Sequence, residues 1–180
     1  MVYIDDIIVY STTFEEHLSD LEVVSKVLKQ NGLKLKPSKC EWVKSKVTFL
    51  GHVVSAEGMT PDPENIAKVK NFPVPKSIKE IQRFVGLASY YRRFIKDFAM
   101  IAAPLHKLTS KDSEFIWTDV HQKAFEELKQ KLITPPILRF PDLSKPFMLM
   151  TDASGYALGA VLGQQDEKEK DHVIAYTSRG

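Results

Sequence analysis

The tetrapeptide Tyr3-Ile4-Asp5-Asp6 constrains this chain more than any other feature of it. It sits between two apolar runs, Met1-Val2 before it and Ile7-Ile8-Val9-Tyr10 after it. Strands on either side make residues 2–10 a hairpin with Asp5 and Asp6 at the tip. Adjacent carboxylates repel, and taking them out of water costs more still. A divalent cation offsets both penalties. Hard cations take carboxylate oxygens, and two metals about 3.5–4 Å apart drive in-line phosphoryl transfer in polymerases. Aspartate is also a common turn residue, so the four letters alone leave an ordinary polar turn open.

Downstream, the apolar period changes several times. Thr12 with Glu15, or Thr13 with Glu16, forms a capping box. Phe14, Leu18, Leu21, Val24 and Leu28 then give one apolar helical stripe that Gly32 stops. Leu33 and Leu35 alternate with Lys34 and Lys36, which predicts a half-exposed strand broken by Pro37. Val47, Phe49, Gly51 and Val53 alternate again and predict a second hairpin, with Gly58 in the turn that follows. Asp62-Pro63-Glu64 reads as a helix start, and Pro73 and Pro75 as its end. Ser77 with Glu80 opens a helix with Ile81, Phe84, Val85, Ala88 and Tyr91 on one face, running on toward Ile95, and Ala102 to Leu108 forms another. Thr118 caps a helix carrying Ala124, Phe125, Leu128 and Leu132. From Phe147 the period is two, with strands at Phe147 to Thr151, Leu158 to Leu162 and Val173 to Tyr176.

Composition narrows the class. The 180 residues and 43% apolar content suit a folded chain of one large or two small domains. No run reaches the roughly 18 apolar residues of a membrane span, and no basic-then-apolar leader opens the chain. Cys40 stands alone, so no internal disulfide forms, and it reads as a small half-buried hydrophobe. The net charge of +2 hides an asymmetry. Residues 61–110 hold nine Lys/Arg against four Asp/Glu, while residues 1–60 hold seven against eight and residues 111–180 nine against eleven. A basic middle between acidic flanks suits a nucleic-acid enzyme, although chance clustering of surface lysines gives the same count.

Many blocks in one order resemble the reverse transcriptase region of gypsy-type LTR retrotransposon Pol polyproteins. Tyr3-Ile4-Asp5-Asp6 is similar to the YxDD box. Gly32-Leu33-Lys34-Leu35, Lys39-Cys40, Phe49-Leu50-Gly51-His52-Val53-Val54-Ser55 and Gly58-Met59-Thr60-Pro61-Asp62 follow in family order. After them come Phe84-Val85-Gly86-Leu87-Ala88-Ser89-Tyr90-Tyr91-Arg92-Arg93-Phe94-Ile95 and Thr151-Asp152-Ala153-Ser154. The resemblance covers essentially the whole chain. It implies an α+β molecule of several segments: the C-terminal part of a polymerase palm over 1–60, a helical thumb over 61–110, a connector over 111–146, and the start of a ribonuclease H-like α/β domain over 147–180.

The same resemblance implies site roles. Asp5 and Asp6 become two of three carboxylates holding Mg²⁺ or Mn²⁺. Lys39 stands where the family has a basic residue near the leaving pyrophosphate, though a solvated lysine fits equally. Phe49, Leu50 and Gly51 match the primer grip, or form a strand with a glycine bulge. Arg92 and Arg93 meet phosphates and sugars of a template-primer, or are simply solvated, with Tyr91 and Phe94 inside. Asp152 becomes the first ribonuclease H carboxylate and a metal ligand. The partners implied are RNA or DNA template-primer, dNTPs, and the fingers, first palm segment and later ribonuclease H acids, which the resemblance places off both ends of this chain. The chain alone is then expected to be inactive, intracellular and free of any membrane partner. A catalytically dead nucleic-acid-binding or structural remnant is the alternative.

Overall fold

The computed structural model describes residues 1–110, 114–155 and 157–180. The connector expected over 111–146 lies partly outside the described residues, at 111–113. A short hairpin opens the chain, β1 (Val2–Tyr3) and β2 (Asp6–Ile7), followed by helix α1 (Phe14–Gln30). Thr13 and Glu16 make the reciprocal capping box. At the other end Gly32 adopts φ 69°, which lets Leu33 N–H reach the Leu28 carbonyl and Gly32 N–H reach that of Lys29.

The strand expected over Leu33 to Lys36 does not form. The alternation is real, but no strand among the described residues pairs with it, and the segment runs exposed into a 3-10 turn, Pro37–Lys39. Three antiparallel strands follow, β3 (Lys46–Phe49), β4 (His52–Ser55) and β5 (Gly58–Pro61). Phe49 pairs with His52, so Leu50-Gly51 is the two-residue turn rather than strand interior. Gly58 opens β5 instead of lying in the turn before it. A Cβ there would stand 2.2 Å from the Leu138 carbonyl oxygen, so only glycine permits the backbone approach at that point.

Asp62 caps α2 (Pro63–Lys70) through the Glu64 N–H. Ser77 caps α3 (Ile78–Tyr90), while the Glu80 carboxylate takes the Lys76 N–H rather than closing a box on Ser77. The helix does not run on to Ile95. It ends at Tyr90 and tightens into a 3-10 turn, Arg92–Phe94, which sends both Phe94 and Ile95 inward. Asp97, at φ 60°, redirects the chain into α4 (Phe98–Lys107), four residues earlier than the periodicity predicts. Thr118 and His121 cap α5 (Asp119–Ile133). The last sheet is β6 (Met148–Ala153), β7 (Leu158–Gln165) and β8 (Asp171–Arg179), antiparallel throughout.

The hydrophobic core belongs to the helices. Val69, Phe84, Ala88, Phe98, Leu105, Phe125 and Leu128 form one cluster, to which Leu138 adds from the connector. Each of these side chains larger than Ala88 contributes about 1.5–3 kcal/mol by leaving water. Tyr91 and Phe94 are inside, as expected, with Arg92 and Arg93 facing out. Helix α1 buries no residue at all, and Phe14, Leu18, Val23 and Val27 remain at least half exposed.

Two sheets are pinned by neighbouring connector residues. Leu138 exchanges both backbone hydrogen bonds with Met59 of β5, at 2.8 and 3.0 Å, and Arg139 N–H donates to Val173 of β8 at 2.9 Å. The helical unit meets the last sheet directly as well. The Arg92 guanidinium donates to the Ser178 carbonyl and lies over the Phe98 ring, and Ala99 N–H donates to Ser178 Oγ at 2.8 Å.

Candidate nucleic-acid interface

Two hairpin turns carry the predicted site residues. In the first, Tyr3 pairs with Asp6, so Ile4-Asp5 is the turn and Asp6 begins the return strand. Ile4 has φ 52° and is 80% exposed. A β-branched residue in that region is strained, and strain of this kind persists where a turn must hold a set geometry. Asp5 and Asp6 are exposed, and neither side chain makes a hydrogen bond or ion pair among the described residues. Their oxygens are free to take a cation. The pair fits a divalent metal in kind but not in number: no group of three or more His, Cys, Asp or Glu side chains is arranged to hold a metal among the described residues.

The second turn is held from behind. Leu50 has φ 47° and Gly51 φ 65°, the signature of a type I′ turn. The Leu50 carbonyl accepts two hydrogen bonds, from Tyr90 Oη at 2.7 Å and from His52 Nδ1 at 2.6 Å. The Gly51 carbonyl also accepts two, from Tyr91 Oη at 2.9 Å and from Asp62 N–H at 3.0 Å. Behind Tyr91, Asn65 Nδ2 donates to its hydroxyl at 2.9 Å, and Lys68 Nζ donates to Asn65 Oδ1 at 2.9 Å. A Cβ on Gly51 would come within 3.3 Å of Tyr91 Oη.

His52 fills the space between turn and helix, with the rings of Tyr90, Tyr91 and Phe94 at 5.4–5.6 Å. A carbonyl cannot donate, so Nδ1 carries the proton, and Nε2 is a buried acceptor without a partner among the described residues. Burial holds the His52 pKa below its ordinary value, opposed by the Leu50 carbonyl and assisted by the Arg93 charge.

The other expected residues are more scattered. Lys39 closes the 3-10 turn before β3, exposed and without a side-chain partner among the described residues. Arg93 is exposed and makes no hydrogen bond among the described residues. Arg92 is committed to Ser178, so its guanidinium ties the helical unit to the last sheet. Asp152 lies on β6 opposite Gly159, exposed, at a cleft of about 280 Å³ shared with Lys96, Asp97 and Tyr176. The residues missed in the sequence are Tyr90, Asn65 and His52. The available signal was Tyr90, an aromatic off the apolar stripe beside a second tyrosine on it.

Residues 1–54 match the family described as reverse transcriptase (RNA-dependent DNA polymerase), and residues 117–180 match the RNase H-like domain found in reverse transcriptase. The chain is 42% identical over 180 residues to the retrovirus-related Pol polyprotein from transposon 297 of Drosophila melanogaster. It belongs to the retrotransposon reverse transcriptases. The polyprotein of transposon Tf2-3 of Schizosaccharomyces pombe is 40% identical over 176 residues. These alignments take in 99% and 98% of this chain but only 16% and 13% of the relatives, so the chain spans a small part of the polyproteins it matches.

The fold agrees. A foamy viral protease-reverse transcriptase solved with an RNA/DNA hybrid superposes with a TM-score of 0.84 at 30% identity, covering 99% of this chain and 24% of that one. The same enzyme with double-stranded DNA gives the same score and identity, covering 37% of that chain. The mixed helix-and-sheet class expected for this chain is therefore the one observed. No helix among the described residues is long and apolar enough to cross a membrane.

Proposed function

We propose that this chain supplies the metal-binding hairpin, the primer-holding turn and the thumb of an RNA-directed DNA polymerase, together with the first acid of its ribonuclease H. The exposed, unpaired Asp5-Asp6 carboxylates on a strained turn carry this reading. Asp5 and Asp6 would hold magnesium or manganese together with a further carboxylate from elsewhere in the polyprotein. Cations held there would supply positive charge to align a primer 3′ hydroxyl with a nucleotide α-phosphate and to offset the charge that develops.

The chain's own groups do the rest. The carbonyls of Leu50 and Gly51 are turned inward and fully used, so the outer edge of the turn offers backbone N–H groups to the primer backbone. Arg93 and Lys39 add cations that grip phosphate without reading sequence, which suits an enzyme that copies any template. Asp152 serves the second chemistry, helping to position water against an RNA phosphodiester once the remaining nuclease acids join it.

Two measurements test the proposal. Binding of a recessed RNA–DNA hybrid to the chain should weaken steeply with salt, as counterion release requires; affinity indifferent to salt would refute it. Magnesium-dependent primer extension should be absent for the chain alone and appear when the rest of the polyprotein is supplied, then vanish with Asp5→Asn. Robust incorporation by the chain alone, abolished by the same substitution, would overturn the claim that further carboxylates are required.

A further inference from the structure

We infer that Tyr90 and Tyr91 are positioning residues: their two hydroxyls latch the Leu50-Gly51 turn to the helical unit and thereby set where a primer terminus rests. This deepens the proposed function and rests on the reading that the turn holds the primer.

The two tyrosines do unlike jobs in the fold and the same job at the turn. Tyr91 is fully buried, and its ring belongs to the core. Tyr90 is 53% exposed, and its ring is perpendicular to that of Tyr91 at 4.9 Å. An exposed tyrosine ordinarily gives its hydroxyl to water. Here it donates instead to a carbonyl 40 residues away at 2.7 Å. Each tyrosine takes a different one of the two consecutive turn carbonyls.

A type I′ turn alone leaves those carbonyls to solvent and the hairpin free to rock about its strands. Two hydroxyls arriving from the rigid end of α3 remove that freedom. The α3 end is itself anchored: Phe94 and Ile95 are buried just beyond it, and Lys68 and Asn65 buttress Tyr91 from α2. Any shift of α3 is therefore transmitted to the turn backbone. Gly51 makes the latch possible, because a side chain there would press on the Tyr91 hydroxyl.

The test uses the full chain with Tyr90→Phe, Tyr91→Phe and the double variant, which keep the rings and delete only hydroxyls. Amide exchange at His52, which pairs with Phe49 across the turn, and at Asp62, whose N–H bonds the Gly51 carbonyl, should rise roughly tenfold in the double variant, with α3 and the rest of β5 unchanged. The second readout is a DNA primer ending in 4-thiothymidine, annealed to an RNA template and irradiated on the chain. The unaltered chain should crosslink within residues 49–52. The double variant should scatter crosslinks along β3 and β4 while binding the hybrid within about twofold.

Exchange that does not change overturns the latch. Faster exchange with an unmoved crosslink shows that the hydroxyls hold the turn but do not position a primer, and sinks the inference. No crosslink at the turn in the unaltered chain, with exchange still rising in the variants, refutes the primer-holding reading and leaves the tyrosine clamp standing. Tyr90→Phe alone, at an exposed position, decides the matter if the double variant does not fold.

Discussion

The two hairpin turns share a length and a strained aliphatic residue, and differ in everything behind them. Ile4-Asp5 stands on two-residue strands, exposed on every side, with no side chain of the described residues bonded to its acids. Leu50-Gly51 stands on four-residue strands, with four hydrogen bonds on its carbonyls and an aromatic nest beneath it. The first offers ligands that something else must complete. The second offers a fixed backbone that is already complete. A reactive group gains from freedom to meet its cation, whereas a positioning surface gains from having none.

The comparison breaks most easily at Tyr91. Replacing it by alanine removes a buried ring and its hydroxyl bond, and should cost about 3–5 kcal/mol in urea unfolding of the full chain; a loss below 1 kcal/mol would mean the second turn is not tied to the core. Gly51→Ala should come next. It imposes a Cβ on a left-handed residue against Tyr91 Oη, and a cost of about 1–3 kcal/mol is expected by the same measurement.

At the free turn the sign reverses. Ile4→Gly relieves a positive-φ β-branched residue and should stabilise β1–β2 locally by up to about 1 kcal/mol, read as slower amide exchange in residues 2–8 with global unfolding unmoved. If Ile4→Gly shifts the global midpoint, the two turns are less different than described.

The smallest effect is with pH. His52 faces the Leu50 carbonyl, Tyr90, Tyr91, Arg93 and Asp62. Its folded pKa lies below 6.5, so below that pH the unfolded chain binds more protons. Stability should be level above about pH 7.5 and decline as pH falls from 6.5 toward the folded value. His52→Phe should flatten that slope; an unchanged slope would assign it to another group.

What could be read from the sequence was whatever depends on near neighbours. Thr13 with Glu16, Asp62 before Pro63, Ser77 and Thr118 each set a helix start within four residues of themselves, and each helix begins there. The alternation at Leu33 to Lys36 was equally clear, yet a strand needs a partner and none pairs with it. Gly51 continued a period-two pattern and so passed for strand interior, because turn geometry depends on which residues pair and not on spacing. Asp5, Asp6 and Asp152 were identifiable as acids in a recognisable order. That Arg92 would bond Ser178, or Tyr90 reach Leu50, depends on contacts across 86 and 40 residues that no local pattern records.

The pair Leu138 and Arg139 has one further consequence. A single peptide link is stitched to β5 on one side and to β8 on the other, so the second and third sheets share a mechanical rivet. Neither can swing without dragging its neighbour or tearing main-chain bonds.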